Sequence, residues 1–377
     1  MNSLDELLHP ITPDRFLADY YGRKPLHIPA EAGTSRAALT DWTEFNALLS
    51  QTPNWTPETL KLVMNGAGIP PEFYCEDTDG PAGKRLRPAP AKVEVFLSSG
   101  ASLVANDIQG LTPKLRALSE GLGHAFSGKV GANAYLSFGG MRAFTTHFDL
   151  HEVFAVQVEG EKRWRLYENR AENPVGFPVP DKELIGWFER TRGRPMVEVH
   201  MRPGDVLYVP RGWYHDAMAQ PGASLHVTFS VTPLHGGALF GLLETLALED
   251  PAFRAWLEPA EADAGEALAR QLADLGGKLT ALAQDPRLAS AVAIAQQKLI
   301  DRPPAYGLPH RKPLTGYRRT TVPPPPFTGP VAVAMQWAFG QPDFAIEDLR
   351  AQFTFVATEA IDAAVETALK AGALTRA

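Results

Sequence analysis

The chain has 377 residues, 45% of them hydrophobic, which suits two or three domains with packed cores and excludes wholesale disorder. Its formal charge of −7 opposes a general nucleic-acid binder, which would carry surplus Lys and Arg, and is compatible with a basic partner. No apolar run reaches the ~20 residues that span a bilayer, and the opening Met1 to Glu6 is acidic where a secretory signal would be basic.

In chain order, residues 1–60 read as short helices, the clearest being a capped amphipathic one at Thr12-Pro13-Asp14 with Phe16, Leu17, Tyr20 and Tyr21. Cys75 is the only cysteine, so neither an intrachain disulfide nor a thiolate metal cluster can form, and a reducing cytoplasm is the expected location. It has no basic neighbours and reads as inert. From about residue 91 short apolar runs are broken by Gly, Pro and Asn. They are Val93 to Leu97, Ala132 to Phe138, Val153 to Val158, Arg163 to Tyr167, Val197 to Met201, Val206 to Val209 and Leu225 to Val231. This pattern predicts a mainly β sandwich or barrel over residues 91–235. Gly237 to Leu248, Glu261 to Leu275 and Pro286 to Ile300 then carry Ala and Leu at helical spacing. Nine prolines between residues 303 and 330 predict a linker or extended arm. Val331 to Phe339, Ile346 to Phe353 and Thr358 to Ala371 predict a small helical module at residues 331–377.

The chemistry-bearing residues lie in the β region. His147-Phe148-Asp149 sits in Ala143 to Asp149, read as a strand, where residues i and i+2 point the same way and deliver an imidazole and a carboxylate to one place. The third ligand is expected from His215, which follows the turn Arg202-Pro203-Gly204-Asp205, the run Val206 to Val209 and Pro210-Arg211-Gly212. Two His and one carboxylate form a facial triad with positions open for a bidentate co-substrate and O2, although the same set could hold zinc in a hydrolase or isomerase. His151 shares parity with the pair, as an alternative ligand or a hydrogen-bond partner of one. His9, His27, His124, His200, His235 and His310 lack ligand-like companions and read as surface or satisfied residues.

Lys162 shares a strand face with Trp164 and Leu166. It is either a buried cation awaiting an anion or a rim lysine reaching solvent along its stem. Asn133, Tyr135 and Ser137 form one face of a strand, and Ser224, His226, Thr228 and Ser230 one face of another. Such faces suit a hydrated barrel mouth holding a dicarboxylate, or ordinary solvent-facing strands.

Taken together, Asn133-Ala134-Tyr135, His147-Phe148-Asp149, Val153-Phe154, Gln157, Gly160, Lys162 and Trp164, with Pro203-Gly204-Asp205, Tyr208 to Gly212 and His215, resemble the JmjC-type ribosomal oxygenases. These are cupin-like protein hydroxylases of bacteria and eukaryotes. The opening Phe16 to Pro25 and the layout behind the barrel are similar too. The resemblance implies a double-stranded β-helix (cupin-like jelly roll) at 91–235 behind an N-terminal segment at 1–90. It also implies a helical dimerisation region at 236–302 giving a homodimer, a linker at 303–330 and a winged-helix-like module at 331–377. By resemblance, His147, Asp149 and His215 bind Fe(II), and Lys162 pairs with the 5-carboxylate of 2-oxoglutarate, with Asn133, Tyr135, His226 and Thr228 as the supporting contacts. Reaction with O2 would give succinate and CO2 and hydroxylate a protein side chain, of a ribosomal protein in this family. The best-known bacterial members place Arg where Lys162 stands, and the eukaryotic branch places Lys. The branches hydroxylate Arg and His respectively, and this one position does not assign the chain to either. Demethylation, a small-molecule or modified-peptide substrate, and a non-catalytic metal-binding scaffold stay open as alternatives. From Val331 to Ala377 six acidic residues face three basic ones, so the last module is expected to contact protein rather than nucleic acid.

Overall fold

The computed structural model describes residues 3–31, 36–64, 66–80, 83–139, 145–300 and 314–377. The chain divides into two units, residues 1–303 and 304–377. Among the described residues no helix is long and apolar enough to cross a membrane.

The first unit opens with α1 (Leu4–Leu8) and α2 (Pro13–Asp19). The Thr12 hydroxyl accepts from the Arg15 N–H, and Pro13 occupies the first turn, where a missing donor costs nothing. The segment read as helices only also contributes β1 (Leu26–Ile28), which pairs antiparallel with a strand far along the chain. After α3 (Trp42–Leu49) come β2 (Leu60–Met64), β3 (Ala67–Gly68) and the hairpin β4 (Cys75–Gly80) and β5 (Gly83–Pro88). The run Val93 to Leu97, expected as a strand, is the helix α4 (Pro90–Ser98). Five apolar-rich residues fit either period, and the punctuation decides: Pro90 starts the helix, and Gly100, at φ 92, follows its end.

Then follow β6 (Ser102–Ala105), α5 (Pro113–Phe126), β7 (Gly128–Phe138), β8 (Glu152–Glu159), β9 (Lys162–Arg170), α6 (Asp181–Thr191), β10 (Pro195–Met201), β11 (Val206–Val209), β12 (Trp213–Ala219) and β13 (Ala223–Pro233). The larger sheet has the order β1-β11-β8-β13-β7-β6-β2-β3, the smaller β10-β9-β12, and their pairings are antiparallel. This β core with flanking helices is consistent with a cupin-like fold. β8 explains why Val153 to Val158 is continuously apolar. Val153 and Ala155 pack with Trp164, Leu166, Met201 and Leu207 between the two sheets. Phe154, Val156 and Val158 face the other way, into a core with Phe16, Leu118, Phe126 and Phe229. Phe16 is fully buried there, worth roughly 1.5–3 kcal/mol in transfer from water. Four helices complete the unit: α7 (Ala238–Ala247), α8 (Pro251–Arg254), α9 (Glu266–Ala283) and α10 (Pro286–Leu299).

The second unit contains β14 (Gly316–Arg319), α11 (Pro330–Gly340), β15 (Asp343–Ala345), α12 (Ile346–Gln352), α13 (Thr358–Lys370) and β16 (Leu374–Arg376), with sheet order β15-β14-β16. Tyr317, Met335, Leu349, Ile361 and Val365 form its core. β14 lies inside the stretch expected to be a linker. Tyr317 is its single inward apolar side chain, too little for a sequence pattern, and residues 301–313 lie outside the described residues.

Candidate metal centre

His147 and His215 face each other across a single antiparallel bridge. The His147 N–H donates to the His215 carbonyl (3.0 Å) and the His215 N–H to the His147 carbonyl (2.8 Å). A mutual pair of this kind sends both side chains to one side of the backbone, and the ring centroids are 4.5 Å apart. His147 and Asp149 are not in a strand, contrary to expectation. Residues 145–149 carry one bridge and a bend at Thr146, the Gly212 N–H donates to the Asp149 carbonyl (2.9 Å), and Ala143 and Phe144 lie outside the described residues. His147 and Asp149 converge without a ladder because that bridge and that bond hold their segment against residues 212–215.

Asp149 Oδ2 lies 3.4 Å from His215 Nε2, and Oδ1 lies 4.0 Å from His147 Nε2. One ligand atom from each of the three residues falls within 4.8 Å of the other two. Nδ1 of His147 is 2.9 Å from the Thr145 carbonyl, and Nδ1 of His215 is 2.9 Å from the Trp213 carbonyl. A carbonyl oxygen only accepts, so each Nδ1 carries a proton and each Nε2 faces Asp149. Burial and the neighbouring His147 push the His215 imidazole down to about 4, so it is neutral near pH 7. Burial opposes the charge of Asp149, but His147, His151 and His215 outweigh it and hold the carboxyl below its usual range. The neutral His215 imidazole, Nε2 of His147 and the Asp149 carboxylate, aimed at one point, are a donor set for a divalent ion, and they fit iron. His151 Nε2 is 3.9 Å from Asp149 Oδ1, beside the three rather than among them.

The same cleft is lined by Asn133, Tyr135, Lys162, His226 and Thr228, so the two polar strand faces enclose a pocket rather than meet solvent. Gly160, at φ +64, makes the sharp β8–β9 turn that sends Lys162 inward, and a Cβ there would sit 1.9 Å from the Ala223 carbonyl oxygen. Lys162 is 3% exposed, which settles the choice between rim and interior. Its Nζ is 3.3 Å from His226 Nδ1 and 3.4 Å from Ser137 Oγ. Among the described residues no carboxylate pairs with it, and burial alone pushes the ammonium down to about 7. A buried cation without a counter-charge is costly unless an anion arrives to meet it. The His226 ring stacks on Tyr135 at 4.8 Å and stays neutral, held well below its usual range by burial and by Lys162. Trp164, expected only to share a face with Lys162, also lines the pocket. Its ring lies 5.7 Å from His215 and 5.6 Å from His226. Nothing in a tryptophan at an apolar parity would have distinguished it from ordinary core. Of the remaining histidines, His27 pairs with Asp205 and His200 with Glu161, while His310 lies outside the described residues.

Residues 113–238, which carry both halves of this cleft, match the family model described as JmjC domain. That stretch is similar to a JmjC domain. The chain is also similar to ribosomal oxygenases. It is 31% identical over 228 residues to Ribosomal oxygenase 1 of Danio rerio, a match covering 59% of this chain and 39% of that protein. It is 30% identical over 230 residues to the bifunctional lysine-specific demethylase and histidyl-hydroxylase NO66 of Drosophila persimilis, covering 60% of this chain and 31% of the relative. The chain thus spans well under half the length of these relatives. Among solved structures, YcfD of E. coli, a ribosomal oxygenase in complex with cobalt and 2-oxoglutarate, superposes with a TM-score of 0.51. That match covers 97% of this chain and 98% of YcfD at 14% identity, and it establishes a shared fold.

Proposed function

We propose that the chain is an Fe(II)- and 2-oxoglutarate-dependent oxygenase that hydroxylates a side chain of a protein, a ribosomal protein being the substrate class that its homologues' names support. The observation that carries this reading is the pairing, within one cleft, of three convergent ligand atoms with a buried lysine that has no anionic partner among the described residues. A zinc hydrolase needs the first feature and has no use for the second.

His147, Asp149 and His215 hold the metal through Nε2, a carboxylate oxygen and Nε2. When bound, iron with 2-oxoglutarate and O2 supplies an oxidant able to hydroxylate an unreactive C–H bond, with succinate and CO2 as co-products. Lys162 holds the far carboxylate of the co-substrate, and a charge-assisted bond in a buried site is stronger than one made in water. Asn133, Tyr135, His226 and Thr228 line the same cleft and fix its orientation. Trp164 and the apolar layer behind it exclude water from the reacting atoms.

Substrate identity is testable directly. The His147→Ala variant is used to capture partner proteins, and those partners are compared by mass spectrometry between cells with and without the wild-type enzyme. A gain of one oxygen on a His or Arg side chain, present only with the wild type, is expected. Loss of methyl groups from lysine instead would reassign the reaction to demethylation, the other activity named for the NO66 relative.

The helical region α7 to α10 supports a homodimer in this reading, because Phe240, Leu257 and Trp256 stand 77%, 59% and 94% exposed. The second unit, three helices with a three-stranded antiparallel sheet, suits a winged-helix-like module. Its charge decides less than residues 331–377 suggested. Arg318 and Arg319 on β14 belong to it, so six acidic residues face five basic ones over residues 314–377. The charge argument for protein contact over phosphate binding weakens accordingly.

A further inference from the structure

Directly behind the two imidazoles lies a polar cluster that the proposed chemistry does not use. Thr146 precedes His147 and Asp216 follows His215, so both point away from the metal side of the bridge. Asp216 is 1% exposed and accepts four hydrogen bonds. Arg165 supplies two, from Nε (3.0 Å) and Nη2 (2.9 Å). The Tyr167 hydroxyl supplies a third (2.5 Å) and the Thr146 hydroxyl a fourth (3.1 Å). Arg192, at the C-terminal cap of α6, donates through Nη1 to Thr146 Oγ1 (3.1 Å) and to the Tyr167 hydroxyl oxygen (2.5 Å). Its guanidinium lies 4.6 Å over the Tyr167 ring. Each hydroxyl accepts from a guanidinium and donates to the carboxylate, so every proton in the ring is placed.

Two facts make this cluster more than packing. Among the described residues the segments that carry the ligands meet through one isolated bridge and the Gly212–Asp149 backbone bond, not a ladder, so the backbone alone constrains the angle of the two imidazoles weakly. The Thr146–Asp216 bond is a further tie across that same pair of residues, on its far face. A buried ionic cluster is also an expensive way to fill space, since apolar side chains of similar volume are often as stable or more so.

We propose that Thr146, Asp216 and Arg192 form a positioning clamp that sets the separation and angle of the His147 and His215 imidazoles. Arg192 is the latch that ties α6 to the centre, Asp216 is the shared acceptor, and Thr146 is the contact that transmits the restraint to the His147 segment. None of the three touches the metal. The proposal rests on the reading of His147 and His215 as metal ligands.

The test uses the full chain with Co(II), whose visible bands report the number and geometry of its ligands, and measures cobalt Kd alongside Tm. Thr146→Val keeps shape and removes the hydroxyl, Arg192→Gln removes the latch, and Arg192→Lys restores a donor. Asp216 is left in place, because its loss would strand Arg165 and put folding itself at risk. Leu118→Ala, in the core with Phe16, serves as a destabilised control remote from the clamp. Expected is a ten- to hundredfold rise in cobalt Kd with altered band intensities for Thr146→Val and Arg192→Gln, on the order seen when partners of metal ligands are removed. Arg192→Lys should recover most of the affinity, and Leu118→Ala should lower Tm while leaving Kd and bands unchanged. Wild-type Kd and bands in both clamp variants would overturn the proposal, as would an equal loss of affinity in Leu118→Ala. His147→Ala separates the two layers of inference. If it abolishes the cobalt bands while Thr146→Val leaves them intact, only the clamp falls. If His147→Ala binds cobalt as tightly as the wild type, the ligand reading falls and the clamp with it.

Discussion

Lys162 shows what a single side chain can reveal and what it conceals. Parity placed it on a face with Trp164 and Leu166, but an alternating pattern cannot say whether that face closes over a cavity or opens to water. Its 3% exposure comes from β13 and β7 closing over it, a long-range arrangement absent from any local window. The metal ligands were more legible because His147, Asp149 and His215 keep their order and spacing around the Pro203-Gly204-Asp205 turn. Trp164 was not, since nothing local separates a pocket-lining ring from a packed one. Two expectations belong at this scale. Lys162→Met should weaken 2-oxoglutarate binding about 10- to 100-fold, the equivalent of a charge-assisted hydrogen bond of about 1.5–3 kcal/mol, and leave cobalt affinity unchanged in calorimetric titrations. The free enzyme's ammonium titrates at about 7, lowered from 10.5 by burial, and the dianion prefers the charged form. Co-substrate Kd should therefore be flat below pH 7 and rise up to about tenfold per unit above it. In the unliganded protein the sign reverses. The unfolded chain holds that proton between pH 7 and 10.5 while the fold does not, so this group adds stability as pH rises through that window.

Elements were readable where punctuation and periodicity agreed, as at α2 and α10, each opened by a capping side chain and a proline. They were misread where a short run allowed two periods. α4 looked like a strand because Val93, Val95 and Leu97 alternate, yet Val95 ends 64% exposed and only Val93 is buried. β1 was invisible because three residues carry no period, and its pairing partner β11 lies about 180 residues away. The β8–β9 turn gives an expectation at this scale. Gly160→Ala adds a methyl group within 1.9 Å of the Ala223 carbonyl oxygen at a positive φ, so the turn must shift and carry Lys162 with it. The 2-oxoglutarate KM should rise more than the loss in Tm would suggest, in steady-state assays run well below the melting transition. A fall in Tm with unchanged KM would show that the turn does not position Lys162.

At the scale of the molecule, composition and texture separated a helical start, a β centre, a helical region and a C-terminal module, but could not show that β14 belongs to the last of these. The apolar side chains left exposed on the helical region lead to one expectation for the assembly. The Phe240→Glu/Trp256→Glu double variant should sediment as a monomer where the wild type sediments as a dimer, with unchanged circular dichroism. A monomeric wild type would remove the homodimer without touching the cleft. Everything said of activity depends on the cleft itself. The most direct measurement is an anaerobic titration of the wild type, His147→Ala and His215→Ala with Fe(II) and 2-oxoglutarate, followed in the visible region. A weak charge-transfer band should appear in the wild type and be absent from both variants, whereas no band in the wild type, or an equal band in all three, would contradict the assignment of this centre.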